Sequence, residues 1–142
     1  MHLSVVTPRK ISPDVHADIR DYLIQQQFRK DGDCFVSTRE GHCLEITIDM
    51  EPENDLCWTY PTSEVIWFIP MTEIIIESKG TAASHMAGYD IALHLAGIAQ
   101  GIIYDHLVDV AYNREGKPFE RYGLGENLAQ YGTGMNRLTE DE

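Results

Sequence analysis

Positive charge is what this sequence most lacks. Between Arg39 and Lys79 there is no Lys or Arg, while residues 40–77 hold nine carboxylates: Glu40, Glu45, Asp49, Glu51, Glu53, Asp55, Glu64, Glu73 and Glu77. A field of one sign repels phosphate backbones and anionic lipid and attracts cations or basic proteins, so neither nucleic acid nor a membrane surface is expected as a partner. The imbalance is regional. Residues 1–40 carry six acids and six bases, so the formal net charge of −12 comes entirely from residues 41–142, where 17 acids face five bases.

Long apolar runs are missing too. No stretch reaches the roughly 18 residues a membrane-spanning helix needs. The first ten residues, MHLSVVTPRK, lack the basic start and long apolar segment of a secretory leader, which leads to the expectation of a cytoplasmic protein. There are only three cysteines, Cys34, Cys43 and Cys57, an odd number with no CxxC spacing. They read as reduced thiols, with Cys34 and Cys43 able to face one another across a hairpin.

Catalytic signatures are equally scarce. Neither an HExxH pair, a GxSxG elbow nor a phosphate loop is present. The fragment GLGENL at 123–128 lacks both a leading strand and the third glycine of a dinucleotide fingerprint. Of the six histidines, only His94 has a carboxylate, Asp90, one helical turn away, a spacing that more often marks a local contact than a catalytic pair. No catalytic residue, metal or cofactor is expected.

What is present suffices for one domain. A chain of 142 residues, 43% of them hydrophobic, can bury a core without metals or disulfides. HLSVVT at 2–7 is rich in β-branched residues and stops at Pro8, which predicts a strand. Ser12 followed by Pro13 is a capped helix start, and Val15, Ile19, Tyr22 and Leu23 fall on one face, predicting a helix over 13–29 that stops at Gly32. CFVS at 34–37 and CLEITIDM at 43–50 read as a hairpin turning at Gly41. In its second strand Leu44, Ile46, Ile48 and Met50 point one way, and Glu45, Thr47, Asp49 and Glu51 the other. Residues 51–63 form a loop bounded by Pro52 and Pro61. EVIWFI at 64–69 has the unbroken apolarity of a central strand covered on both sides. In TEIIIES at 72–78, Glu73 and Glu77 again oppose Ile74 and Ile76.

A second helix is predicted over 81–101, entered through Thr81 or Ser84. Met86, Tyr89, Leu93 and Ala96 make its apolar row, Ile91, Leu95 and Ile98 widen it, and Gly88 and Gly97 lie on a small flank suited to close approach. IIYD at 102–105 and VDVAY at 108–112 return to strand. The order of elements implies an α+β domain over residues 1–117, a mainly antiparallel sheet with two principal helices packed on one face. Residues 118–142 read as a Gly-rich acidic tail, mobile or ordered by a partner.

With helices on one face, the other is expected to stay open. Glu45, Asp49, Glu73 and Glu77 line it. Glu51, Glu53 and Asp55 extend the acidity into the 51–63 loop, where Trp58 and Tyr60 supply the aromatic anchors that interfaces favour. These nine residues form the expected partner-binding surface.

The segment YDIALHLAGIAQGIIYDHLVDVAY, residues 89–112, resembles the helix-then-strand segment of small immunity proteins that bacteria encode beside polymorphic or contact-dependent toxins. There an alanine-rich amphipathic helix runs into a glycine, an apolar strand and a Tyr-Asp pair. It covers about a sixth of the chain, and departs from the pattern at Gln100, where a second glycine is common, and at His106 and Leu107, where a proline-bearing turn is common. The resemblance implies a non-catalytic inhibitor of a cytoplasm-acting toxin with a basic surface, a cognate toxin domain being the basic partner. The alternatives are a small enzyme whose carboxylates and His94 or His106 line a cleft, and a phage or accessory assembly module that dimerises through exposed strand edges.

Overall fold

A computed structural model describes residues 1–52, 66 and 68–118. Among these residues seven strands and two helices follow one another as β1 (His2–Thr7), α1 (Pro13–Gln25), β2 (Phe28–Asp31), β3 (Cys34–Ser37), β4 (Cys43–Asp49), β5 (Thr72–Lys79), α2 (Ala82–Ala99), β6 (Ile102–Asp105) and β7 (Val110–Tyr112). They build one seven-stranded sheet in the order β2-β3-β4-β5-β1-β6-β7. Every pairing is antiparallel. The fold is α+β.

Strand alternation fixes the two faces. On the inner face Leu3 and Val5 of β1 meet Ile76 and Ile74 of β5, which in turn meet Ile46 and Ile48 of β4. Ile19 and Leu23 of α1 and Ile91, Leu95 and Ala96 of α2 complete a single core with them. Fully burying each of these leucine, isoleucine or valine side chains is worth about 1.5–3 kcal/mol. Both helices therefore lie on one face.

Local chemistry sets the helix starts. Ser12 Oγ accepts from the Val15 amide at 3.1 Å with Pro13 at the first helical position, and Thr81 Oγ1 accepts from the Ser84 amide at 3.2 Å. The first helix stops at Gln25 and not at 29. Gln27 takes a left-handed φ of 67°, and Phe28–Asp31 leaves as β2, which hairpins onto β3 through Gly32. Phe28 decides this, because its ring is buried in the core from an extended backbone that a continuing helix would not provide.

The second helix buries a different side from the one its large residues suggested. Met86 is 68% exposed and Tyr89 38%, whereas Ser84, Gly88, Ile91, Ala92, Leu95, Ala96 and Ala99 are buried. The small flank carries the helix down onto the sheet: a Cβ on Gly88 would sit 3.3 Å from Leu44 Cδ2. Gly97 points to open space and has no part in this approach. Asp90 and His94 form no ion pair; His94 instead stacks on Tyr22 of α1 with ring centroids 4.4 Å apart. Gln100, with φ 58°, is the left-handed cap. Gly101 follows as a close-contact residue, since a Cβ there would stand 2.6 Å from the Val6 carbonyl oxygen.

Among the described residues the centre of the sheet is held by β5 and β1, and the strand expected over 64–69 falls partly outside the described part. Residues 64, 65 and 67 lie outside the described part; Ile66 and Phe68 are buried. The hairpin of β3 and β4 has the expected bounds, but Cys34 lies opposite Thr47, its Sγ 3.5 Å from Thr47 Oγ1, and does not face Cys43. Both thiols are free. No helix among the described residues is long and apolar enough to cross a membrane.

Candidate functional site

On the outer face, β4 and β5 are neighbours, and their carboxylates oppose one another directly: Glu45 lies across from Glu77 and Asp49 across from Glu73. Like charges in direct cross-strand opposition destabilise a sheet. No Lys or Arg among the described residues forms an ion pair with Glu45, Asp49 or Glu77. The nearest base along β5 is Lys79, opposite Cys43, which with Glu45 and Glu77 lines a shallow pocket of about 310 Å³. Glu45 is exposed, and Asp49 and Glu77 are half-buried. Glu51 follows Asp49 at the strand end, its amide donating to Asp49 Oδ1 at 2.9 Å.

The fourth sheet carboxylate behaves differently. Glu73 is 4% exposed. Ser4 of β1 donates its hydroxyl to Glu73 Oε2 at 2.5 Å, and His106 Nε2 lies 2.7 Å from the same Ser4 oxygen and 3.8 Å from Glu73 Oε2. Because the Ser4 proton is committed to Glu73, its oxygen can only accept from the imidazole, which places the ring proton on Nε2. Burial, followed by the neighbouring His2, pushes the His106 pKa down to about 4, with Asp105 opposing. His2 and His106 stack at 4.2 Å, and Tyr104 meets His106 edge-on at 4.7 Å.

The outer face is thus not uniformly open. Ser4, Val6, Ile102 and Tyr104, all on the outer side of β1 and β6, are buried without belonging to the main core. The reason is legible in composition: β1 and β6 put apolar groups on both sides, the pattern of a strand covered twice, whereas β4 alternates strictly. The acidic stripe therefore divides, with Glu45, Asp49 and Glu77 on the accessible half and Glu73 within the buried half. Glu53, Asp55, Trp58 and Tyr60, the remaining expected partner-binding residues, lie outside the described part, as do Cys57 and residues 119–142.

Chemically, the buried cluster has the residue types of a nucleophilic triad but not its arrangement. Here serine bridges histidine and carboxylate, whereas a triad has histidine in the middle. Ser4 is fully buried, so no substrate reaches its oxygen in this conformation. Sequence inspection missed the cluster because its members are 69 and 102 residues apart from Ser4. Among the described residues no group of three His, Cys, Asp or Glu side chains is placed to hold a metal ion. No family model matches this chain. A search of curated proteins likewise finds no match.

Proposed function

We propose that this chain is a non-catalytic binding protein that engages a basic protein through the accessible half of its outer sheet face, with Glu45, Asp49 and Glu77 at the centre. The observation that supports this reading most directly is the Glu45–Glu77 opposition, maintained without a basic neighbour in ion-pair contact among the described residues. A solitary domain gains nothing in stability from such a pair. A cationic partner recovers the repulsion on docking, and a single-signed surface also steers it into place. The similarity of residues 89–112 to immunity proteins supports a more specific form of the proposal, in which the partner is a toxin domain with a basic surface and the complex forms in the cytoplasm.

The test is affinity capture from the native host with the full chain and with a Glu45→Lys, Asp49→Lys, Glu77→Lys variant. The expected result is a basic protein retained by the wild type at low salt, released as salt rises, and lost from a variant whose melting temperature is preserved. Retention unchanged by charge reversal would overturn the proposal. Coexpression with the captured protein, if that protein is toxic, then reads neutralisation directly.

A second reading, a small enzyme, draws on the Ser4–Glu73–His106 cluster. It requires the covering of Ser4 to open. A serine-directed fluorophosphonate probe that labels Ser4 in the native protein, and fails to label a His106→Gln variant, would favour it.

A further inference from the structure

A cleft of about 440 Å³ lies at a step in the sheet. β3 pairs with β4 only as far as Cys34–Thr47, so Ile48 and Asp49 run on without a β3 partner, and α1 and β2 stand over the gap. The volume is in the ordinary range for small-molecule sites. Its lining has a definite chemistry. From α1 come His16 and Arg20, one helical turn apart, and from β2 comes Lys30. Asp33 of the β2–β3 turn and Asp49 of β4 contribute carboxylates, and Phe35, Ile48 and Ile75 contribute apolar surface.

Two details distinguish this cleft from ordinary mixed surface. First, Arg20 and Lys30 form no ion pair with Asp33 or Asp49, although all four line the same cavity, so the opposite charges are held apart across it. Second, Arg20 and Lys30 both bear on His16: its pKa is lowered by burial, then by Arg20, then by Lys30. The fixed charges of the lining cancel, two against two, but they are separated. A ligand matched to such a site has no net charge and carries its own charges at two ends.

We propose that this cleft binds a small zwitterion, an α-amino acid with an apolar side chain or the equivalent end-group of a short peptide. Its carboxylate sits among His16, Arg20 and Lys30, its ammonium faces Asp49, and its side chain covers Phe35, Ile48 and Ile75. Asp49 is shared with the proposed protein-binding surface, whereas Arg20 and Lys30 are not, so loss of amino-acid binding on Arg20→Ala is read independently of any basic protein.

Isothermal titration of the full chain with L-phenylalanine, phenylacetate and phenethylamine separates the possibilities, because the three share one apolar body and differ only in head groups. L-phenylalanine is expected to bind, with each single-headed probe weaker on the order of tenfold, the loss of one charged contact. Arg20→Ala is expected to reduce L-phenylalanine affinity by a similar factor and leave phenethylamine unaffected, whereas Asp49→Asn does the reverse, leaving phenylacetate unaffected. Both positions are at the protein surface, and unchanged melting temperatures establish that the variants fold. Equal affinity for phenylacetate and L-phenylalanine would overturn the proposal in favour of a plain anion site. So would the absence of heat from L-phenylalanine and L-leucine at about 10 mM, where a site with Kd near 1 mM would be mostly filled.

Discussion

The two halves of the outer sheet face are made by adjacent strands, yet they treat a carboxylate in opposite ways. On the β4 side, Glu45 and Glu77 face each other in contact with solvent and have no ion pair among the described residues. On the β1 and β6 side, Glu73 is buried and receives the hydroxyl of Ser4, which in turn receives the proton of His106. A buried charge that lacked such donors would cost several kcal/mol, so the cluster is a requirement of that location. The exposed pair meets no such requirement. Its retention is intelligible if the opposing charge arrives from outside.

The contrast can be broken at its buried end with the largest effects. Gly101→Ala should destabilise by about 3 kcal/mol, the upper range for overpacking, because its Cβ would be driven against the Val6 carbonyl where β6 joins β1. Urea denaturation followed by circular dichroism measures it. Ser4→Ala should cost about 2 kcal/mol, since a buried carboxylate loses a charge-reinforced hydrogen bond and His106 loses its acceptor. A loss below about 0.5 kcal/mol in the same measurement would mean that Glu73 is effectively solvated.

The pH dependence sharpens the same point. His106 titrates near 4 in the folded chain against an ordinary value of 6.5. As pH falls below 6.5 the unfolded chain takes up this proton first, so the His106 contribution to stability is complete above 6.5 and is lost progressively down to about 4. Melting temperatures between pH 7 and pH 4 should therefore fall more steeply for the wild type than for His106→Gln. Equal slopes would place the imidazole in solvent. The smallest effect is expected on the open side: Glu45→Lys should change stability by less than about 0.5 kcal/mol, in the stabilising direction, because it turns a like-charge pair with Glu77 into an opposite one. A clear loss of stability there would show that Glu45 already has a structural task.

Much of this contrast was readable before the fold was known, although not all of it. The alternation of CLEITIDM placed Glu45 and Asp49 on one side, that of TEIIIES placed Glu73 and Glu77 on one side, and the two sides proved to be the same. Helix starts at Ser12 and Thr81 were readable because capping is chemistry within four residues. The helix end was not, since Phe28 leaves α1 for a core contact made with distant residues. The buried face of α2 was not readable either. A helix apolar nearly all round gives no stripe to follow, and small residues prevailed over Met86 and Tyr89 because they let the backbone closer to the sheet.

The sequence by itself determined the α+β class, the hairpin of β3 and β4, the two helix caps and the one-signed charge of residues 40–77. Each depends on periodicity, capping or composition, properties that short segments carry with them. Tertiary structure alone decided that β4 lies beside β5, that Glu73 is withdrawn from the acidic stripe, that Ser4 and His106 meet across 102 residues, and that opposite charges from α1, β2 and β4 face a common cleft. Strand order is the physical reason. It is settled by which combination of faces buries the most apolar surface, a property of the whole chain that no segment contains.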